Sequence, residues 1–123
     1  MRPMARTVLI VDDHPTFRGF ARALLESEGF EVVGEAEDGP AGVLAAEALR
    51  PDVVLLDVQL PGLTGFEVAQ RLRARNLPGS VVLVSSRSAS DYGDLIAGSG
   101  AAGFVPKAEL SGDAVRALLP GAA

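Results

Sequence analysis

Val53-Val54-Leu55-Leu56-Asp57 is an unbroken apolar run closed by a carboxylate. A strand with one face in water alternates apolar and polar residues. An unbroken run instead fits a parallel sheet covered by helices on both faces. Two more runs, Val8 to Val11 and Val81 to Val84, repeat the pattern on either side.

Segments with helical spacing lie between these runs. Phe17, Phe20, Ala21, Leu24 and Leu25 fall at i, i+3, i+4, i+7 and i+8 and paint one helical face, with Pro15 at a suitable first position and Gly29 at the stop. The pattern predicts a second helix from about Pro40 to Leu49, ended by Arg50-Pro51, and a third from Gly65 to Arg75. The third buries Phe66, Ala69 and Leu72 and sets Glu67 and Arg71 as an i, i+4 pair outside. Phe30 to Ala36 reads as an edge strand with Glu31 and Glu35 on one face, and Ala102 to Pro106 as a short last strand. Ala89 to Ala97 is a weak helix carrying Gly93. A final short helix begins at the N-cap Ser111, packs Val115, Leu118 and Leu119, and stops at Pro120. The order βαβαβαβαβα predicts an α/β fold, a doubly wound parallel sheet with right-handed crossovers. No repeat or linker divides the 123 residues, so 1–123 is expected to be a single domain.

Composition narrows the function. There is no cysteine, which excludes a disulfide scaffold, a Cys-ligated zinc site and a thiol nucleophile, and suits a reducing compartment. No apolar run approaches the ~20 residues of a membrane span, and Met1 to Thr7 is too short and polar for a signal peptide. The expected location is the cytoplasm. Eleven basic against sixteen acidic residues give a formal charge of −5, which argues against direct nucleic-acid binding. Only one of the eleven, Lys107, is lysine.

Ligands of open α/β sheets sit at the carboxyl ends of the strands. Asp12 and Asp13 follow the first run, Asp57 the third strand, Ser85 and Ser86 the fourth, and Lys107 the fifth. Each has an ordinary structural role available. Asp12 and Asp13 would cap the helix at Pro15, Asp57 would form a turn before Pro61-Gly62, and Lys107 would be a solvated surface lysine. Ser85 would be a plain strand-end hydroxyl and Phe104 plain core. Their convergence on one edge favours chemistry. Carboxylates that close together call for a cation, and hard oxygen donors suit Mg²⁺ (or Mn²⁺) shared with a phosphate oxygen. A carboxylate also serves as a nucleophile, giving an aspartyl phosphate, with Lys107 and Ser85 stabilising the transferred oxygens. His14, the only histidine, has no serine or cysteine nucleophile paired with it and reads as the start of a helix.

Four motifs in register carry a resemblance: Val11-Asp12-Asp13-His14-Pro15, Asp57-Val58-Gln59-Leu60-Pro61-Gly62-Leu63-Thr64-Gly65, Ser85-Ser86, and Gly103-Phe104-Val105-Pro106-Lys107. Together, over essentially the whole chain, they resemble the receiver domain of two-component response regulators. The resemblance implies a flavodoxin-like (βα)5 fold, like the chemotaxis regulator, with strand order 2-1-3-4-5. It implies Asp57 as phosphoacceptor, fed by a sensor histidine kinase, a phosphotransfer protein or a small phosphodonor. It implies Mg²⁺ held by Asp12, Asp13, Asp57 and the backbone carbonyl of Gln59, and Lys107 against the phosphoryl group. Ser85 becomes the switch hydroxyl, Phe104 the aromatic that follows it, and Gln59 and Arg87 the residues that tune hydrolysis. Such a domain is a signalling switch rather than an enzyme. Its partner-binding and possible dimer surface is the fourth helix, fifth strand and fifth helix.

The sequence departs from the family in three places. Many receivers place a cis proline after the lysine, whereas Ala108 follows here; a non-proline cis bond costs about 3 kcal/mol, so a trans bond is expected. Ser86 stands where alanine often controls access to the phosphate, and Leu60 replaces a common methionine. Gly103 to Leu110 resembles receivers that precede a helix-turn-helix domain, so a fragment of a longer DNA-binding regulator stands beside a stand-alone receiver. A pseudo-receiver would usually lose an acidic residue or the lysine. An aspartyl-phosphate phosphatase would want Asp-x-Asp-x-Thr after its first strand, where this chain has Asp-Asp-His-Pro.

Overall fold

In the computed structural model, residues 5–121 are described. The start of the segment weighed as a signal peptide and the last two alanines lie outside the described residues. Five strands form one parallel sheet in the order β2-β1-β3-β4-β5: β1 (Thr7–Val11), β2 (Glu31–Ala36), β3 (Val53–Asp57), β4 (Ser80–Ser85) and β5 (Gly103–Pro106). Five helices alternate with them: α1 (Pro15–Ser27), α2 (Gly39–Leu49), α3 (Gly65–Ala74), α4 (Leu95–Gly98) and α5 (Gly112–Arg116). Among the described residues no helix is long and apolar enough to cross a membrane.

The two faces of the sheet make two cores. Val8 and Ile10 of β1, Val53 and Leu55 of β3, and Val82 and Val84 of β4 pack with Ala21 and Leu25 of α1 and Val115 of α5. Their neighbours Leu9, Val11, Val54, Leu56 and Leu83 face the other way, onto Val43 and Ala46 of α2 and Phe66, Val68, Ala69 and Leu72 of α3. Both parities of the central strands are therefore buried, which is why the runs carry no polar break.

Several local expectations change. Phe20 is 54% exposed, because the buried stripe of α1 runs through Ala21 and Leu25 with Phe17 and Leu24 at its margin. The register along β1 and β2 slips between Val8↔Val32 and Leu9↔Gly34, so Val33 is an extra residue. That bulge puts Glu31 and Glu35 on opposite faces rather than one, and Glu35 turns toward α1. Glu67 is not paired with Arg71; its carboxylate accepts from Thr64 N at 3.1 Å while Glu67 N donates to Thr64 Oγ1 at 3.2 Å, a capping box that starts α3. The weak helix is broken into a single 3-10 turn over Ala89–Tyr92 and the four residues of α4, with Gly93 at φ 57° between them. The last helix is shorter than expected. Ser111 caps it, accepting from Ala114 N at 3.0 Å, but the helix proper ends at Arg116 and Leu119 is buried beyond it.

Candidate functional site

The carboxyl ends of β1, β3, β4 and β5 bring Asp12, Asp57, Ser85 and Lys107 together. Asp12 follows β1 directly and is held there by backbone: its N–H donates to Ala36 O at 3.0 Å and its carbonyl accepts from Arg18 Nη1 at 2.6 Å. Arg18 is itself held by Glu35, 3.0 Å from Nε, and Arg22 sits 2.7 Å from the same carboxylate. The hydrogen bond from Arg22 and the guanidinium charges keep the Glu35 carboxyl below its ordinary range. The sequence gives no periodic cue for this clamp, because the bulge in β2 creates it.

Asp57 ends β3 and is 2% exposed. Its Oδ1 accepts from Gln59 N at 3.2 Å, and its Oδ2 lies 3.5 Å from Lys107 Nζ. The ammonium is closer to Asp12, with Nζ 2.7 Å from Oδ2, and its other side lies over the Phe17 ring at 4.3 Å from the centroid. Burial, reinforced by the neighbouring Asp12 charge and opposed by Lys107, pushes the Asp57 carboxyl up to about 6. Gly65 admits α3 to this strand end: a Cβ there would collide with Asp57 O and come within 2.8 Å of Val58 Cα. The Pro61-to-Gly65 loop is thus architecture under the site.

Asp12, Asp13, His14 and Asp57 offer ligand atoms that all lie within 4.8 Å of one another. Asp13 Oδ1 is buried and makes no hydrogen bond, and Asp12 Oδ2 has only the Lys107 ammonium beside it. Asp12 and Asp57 share one ammonium and Asp13 lies beside them at the partly exposed edge, which leaves an excess of negative charge, and oxygen donors of this kind fit a hard divalent cation. His14 takes the expected position at the start of α1, but it also turns its ring to the acids, with Nδ1 3.0 Å from Asp12 Oδ1 and 3.2 Å from Asp13 Oδ1.

Ser85 ends β4 and is wholly buried. Its hydroxyl is 2.6 Å from Tyr92 Oη and accepts from Arg87 N at 3.1 Å. Sequence reasoning does not find Tyr92; its ring packs between Phe66 at 5.4 Å and Phe104 at 5.9 Å. The available signal was a lone tyrosine, a ring with one polar end, seven residues beyond the strand-end serine. Phe104 is half-buried in this cluster, while the side chains of Gln59, Ser86 and Arg87 are exposed around the rim. The Lys107–Ala108 bond is trans, as every described peptide bond is. A cleft of 430 Å³ lined by Arg50, Leu72, Arg73 and Gly100 opens at the other end of the strands and shares no residue with the acids.

The family model for the response regulator receiver domain matches residues 8–118. The chain is 43% identical over 106 residues to the virulence-factor transcription regulator BvgA of Bordetella pertussis, covering 86% of this chain and 51% of that protein. To the DNA-binding transcriptional activator EvgA of Escherichia coli it is 36% identical over 110 residues, covering 89% of this chain and 54% of that one. It therefore spans about half the length of these relatives. Among solved structures, the signal receiver domain of the response regulator NarL from Mycobacterium tuberculosis superposes with a TM-score of 0.84 at 37% identity, covering 94% of this chain and 98% of that one. A LuxR-family two-component response regulator from Aurantimonas matches with a TM-score of 0.84 at 29% identity, covering 96% and 87%. The sheet order, the acidic strand ends and the match along almost the whole chain agree: the chain belongs to the response regulator receiver domain family.

Proposed function

We propose that residues 1–123 act as one receiver that takes a phosphoryl group onto Asp57 and uses it to switch a partner-binding face. The observation that carries this is the setting of Asp57: nearly buried at a strand end, facing the only lysine of the chain, with Asp12 and Asp13 alongside. The donor is a sensor histidine kinase, a phosphotransfer protein or a small acyl phosphate. An Asp57 carboxylate oxygen forms the new O–P bond as the donor's N–P or O–P bond breaks, and the leaving imidazole or carboxylate keeps the bonding electrons. Mg²⁺ (or Mn²⁺), held by Asp12, Asp13, Asp57 and the Gln59 carbonyl, would neutralise phosphoryl oxygens. Lys107, fixed by Asp12 and Phe17, meets the same charge from the β5 side. Ser85 donates to the phosphoryl group once it is in place, and Phe104 packs behind it. Gln59 and Arg87, exposed at the rim, bound the path of the hydrolytic water. The chemistry ends at the domain's own phosphorylation and dephosphorylation, so it is a switch and not an enzyme with an external product.

The names of the relatives, a transcription regulator and a DNA-binding activator, support an output domain that binds DNA in a longer protein, with this domain making no DNA contact itself. Pairing through α4, β5 and α5 is the dimer mode that belongs to the same reading, as is a cytoplasmic location. The test is incubation with acetyl phosphate and Mg²⁺ followed by intact mass. One phosphoryl adduct is expected, absent in Asp57→Asn. No adduct on the wild type overturns the reading, and turnover of many phosphoesters would make it an enzyme.

A further inference from the structure

We propose that Tyr92 is the positioning residue of the switch. In the resting domain its phenol holds the Ser85 hydroxyl, and phosphorylation of Asp57 breaks that bond and frees the 89–98 segment. The proposal rests on the phosphoryl-switch reading above.

Ser85 Oγ is wholly buried and already accepts from Arg87 N, and its one other polar contact is Tyr92 Oη at 2.6 Å. A hydroxyl has a single proton to donate. Either hydroxyl can be the donor in this pair; where Ser85 gives its proton to the phenol, donating to a phosphoryl oxygen requires it to turn from Tyr92. Tyr92 then keeps its ring contacts with Phe66 and Phe104 but loses its buried polar partner, and a phenol in that state moves its oxygen toward water. Phe104 has no polar atom, so it supplies a wall for this movement and no hydrogen bond.

Tyr92 is also what ties the segment down. Neither the 3-10 turn at Ala89–Tyr92 nor α4 contains a fully buried residue; Tyr92 and Ile96 are its half-buried members. Gly93 follows immediately at φ 57° and ψ −127°, a backbone state glycine adopts freely, so the chain can pivot beside the phenol. Letting go of one hydroxyl thus loosens one turn and the short helix after it.

Tyr92 is the only tyrosine and there is no tryptophan, so tyrosine emission and near-ultraviolet absorption report on this phenol alone. The full chain is treated with acetyl phosphate and Mg²⁺, and emission is followed beside intact mass and amide exchange. Emission should change in step with the adduct. Ser85→Ala should shift the resting spectrum and abolish the phosphorylation-linked change. Tyr92→Phe keeps the ring and removes the hydroxyl; exchange over 89–98 in the resting domain should rise about fivefold, the worth of one hydrogen bond, and rise little further on phosphorylation. An adduct with unchanged emission, or wild-type exchange in Tyr92→Phe, overturns the role of Tyr92 and leaves the phosphoryl-switch reading standing. Absence of the adduct overturns both.

Discussion

The β1 and β4 sides of one sheet edge are held by different means. At β1, Asp12 is fixed by Ala36 O, by Arg18 and by Lys107, and the 13-residue α1 that follows buries Ala21 and Leu25. At β4, Ser85 is followed by a turn, a glycine pivot and a four-residue helix with no fully buried side chain. The acid side is tied at several points, by the backbone, by Arg18 and by Lys107, and α1 packs behind it. The serine side has little packing to lose, so a local opening requires little free energy. A receiver needs both: a site that stays assembled and an adjoining surface that is easily moved.

The largest expected effect comes from unmaking the acid side at its cation. Lys107→Ala removes the ammonium that faces Asp57 and leaves Asp12 and Asp57 close together. By analogy with the loss of one charge-stabilising donor, phosphoryl transfer should slow by about 2 to 4 kcal/mol, roughly 30- to 1000-fold. Stopped-flow phosphorylation measures it. Lys107→Arg retains the charge but not the compact ammonium, and should fall between. A wild-type rate in both variants would separate Lys107 from the chemistry.

The next effect is on stability. Asp57 is pushed up to about 6 from an ordinary 3.8, so without metal the fold favours its neutral form. Folding stability from this group is therefore fully present below pH 4 and lost as pH rises through 6. Keeping the carboxylate charged in the fold then costs at most about 3 kcal/mol at neutral pH and above, less whatever solvent screens. Asp57→Asn should be more stable than the wild type by up to that amount at pH 7.5 in EDTA, with the gain shrinking below pH 6. Urea unfolding at the two pH values checks it, and added Mg²⁺ should close the gap from the wild-type side.

Both effects concern residues that were legible in the sequence, and the reason is geometric. Asp12, Asp57, Ser85 and Lys107 sit at or directly after strand ends, and an apolar run announces its own end. Strand order then places those ends beside one another. What could not be read lies across loops or depends on register. Tyr92 reaches Ser85 through a turn without periodicity. Glu35 reaches Arg18 and Arg22 because Val33 bulges, which flips the face of every later residue in β2. Phe20 has the spacing of a core residue, yet it falls past the edge of the buried stripe. The weakness of the fourth helix was visible in its glycines, but its reduction to four residues was not.

Caps sharpen the contrast at a smaller scale. Thr64 and Ser88 each sit in a capping box, the first opening the ten-residue α3 and the second only a single turn. Thr64→Ala should destabilise the domain by ~1 kcal/mol, since α3 carries Phe66, Val68, Ala69 and Leu72 into the core. Ser88→Ala should change global unfolding by less than about 0.5 kcal/mol, because the turn it opens carries no buried residue into the core. Equal losses in the two variants would mean that the β4 side is part of the cooperative unit.

The smallest effect tests whether the loose side is loose by helix propensity. Gly98 is helical, has no atom within 4 Å of where a Cβ would stand, and has no positive φ. Gly98→Ala should therefore favour the helical form locally by about 0.5 to 1 kcal/mol, with no clash to offset it. Gly93→Ala should do the reverse, since φ 57° and ψ −127° strain any residue with a Cβ. Global stability should barely move in the first variant, because the four residues of α4 include no buried one. Amide exchange at Ser99, whose N–H bonds to Ile96 O, should slow about two- to fivefold. If exchange there is unchanged, the looseness comes from missing contacts and not from the backbone, and the hold of Tyr92 on Ser85 becomes the main restraint on that side.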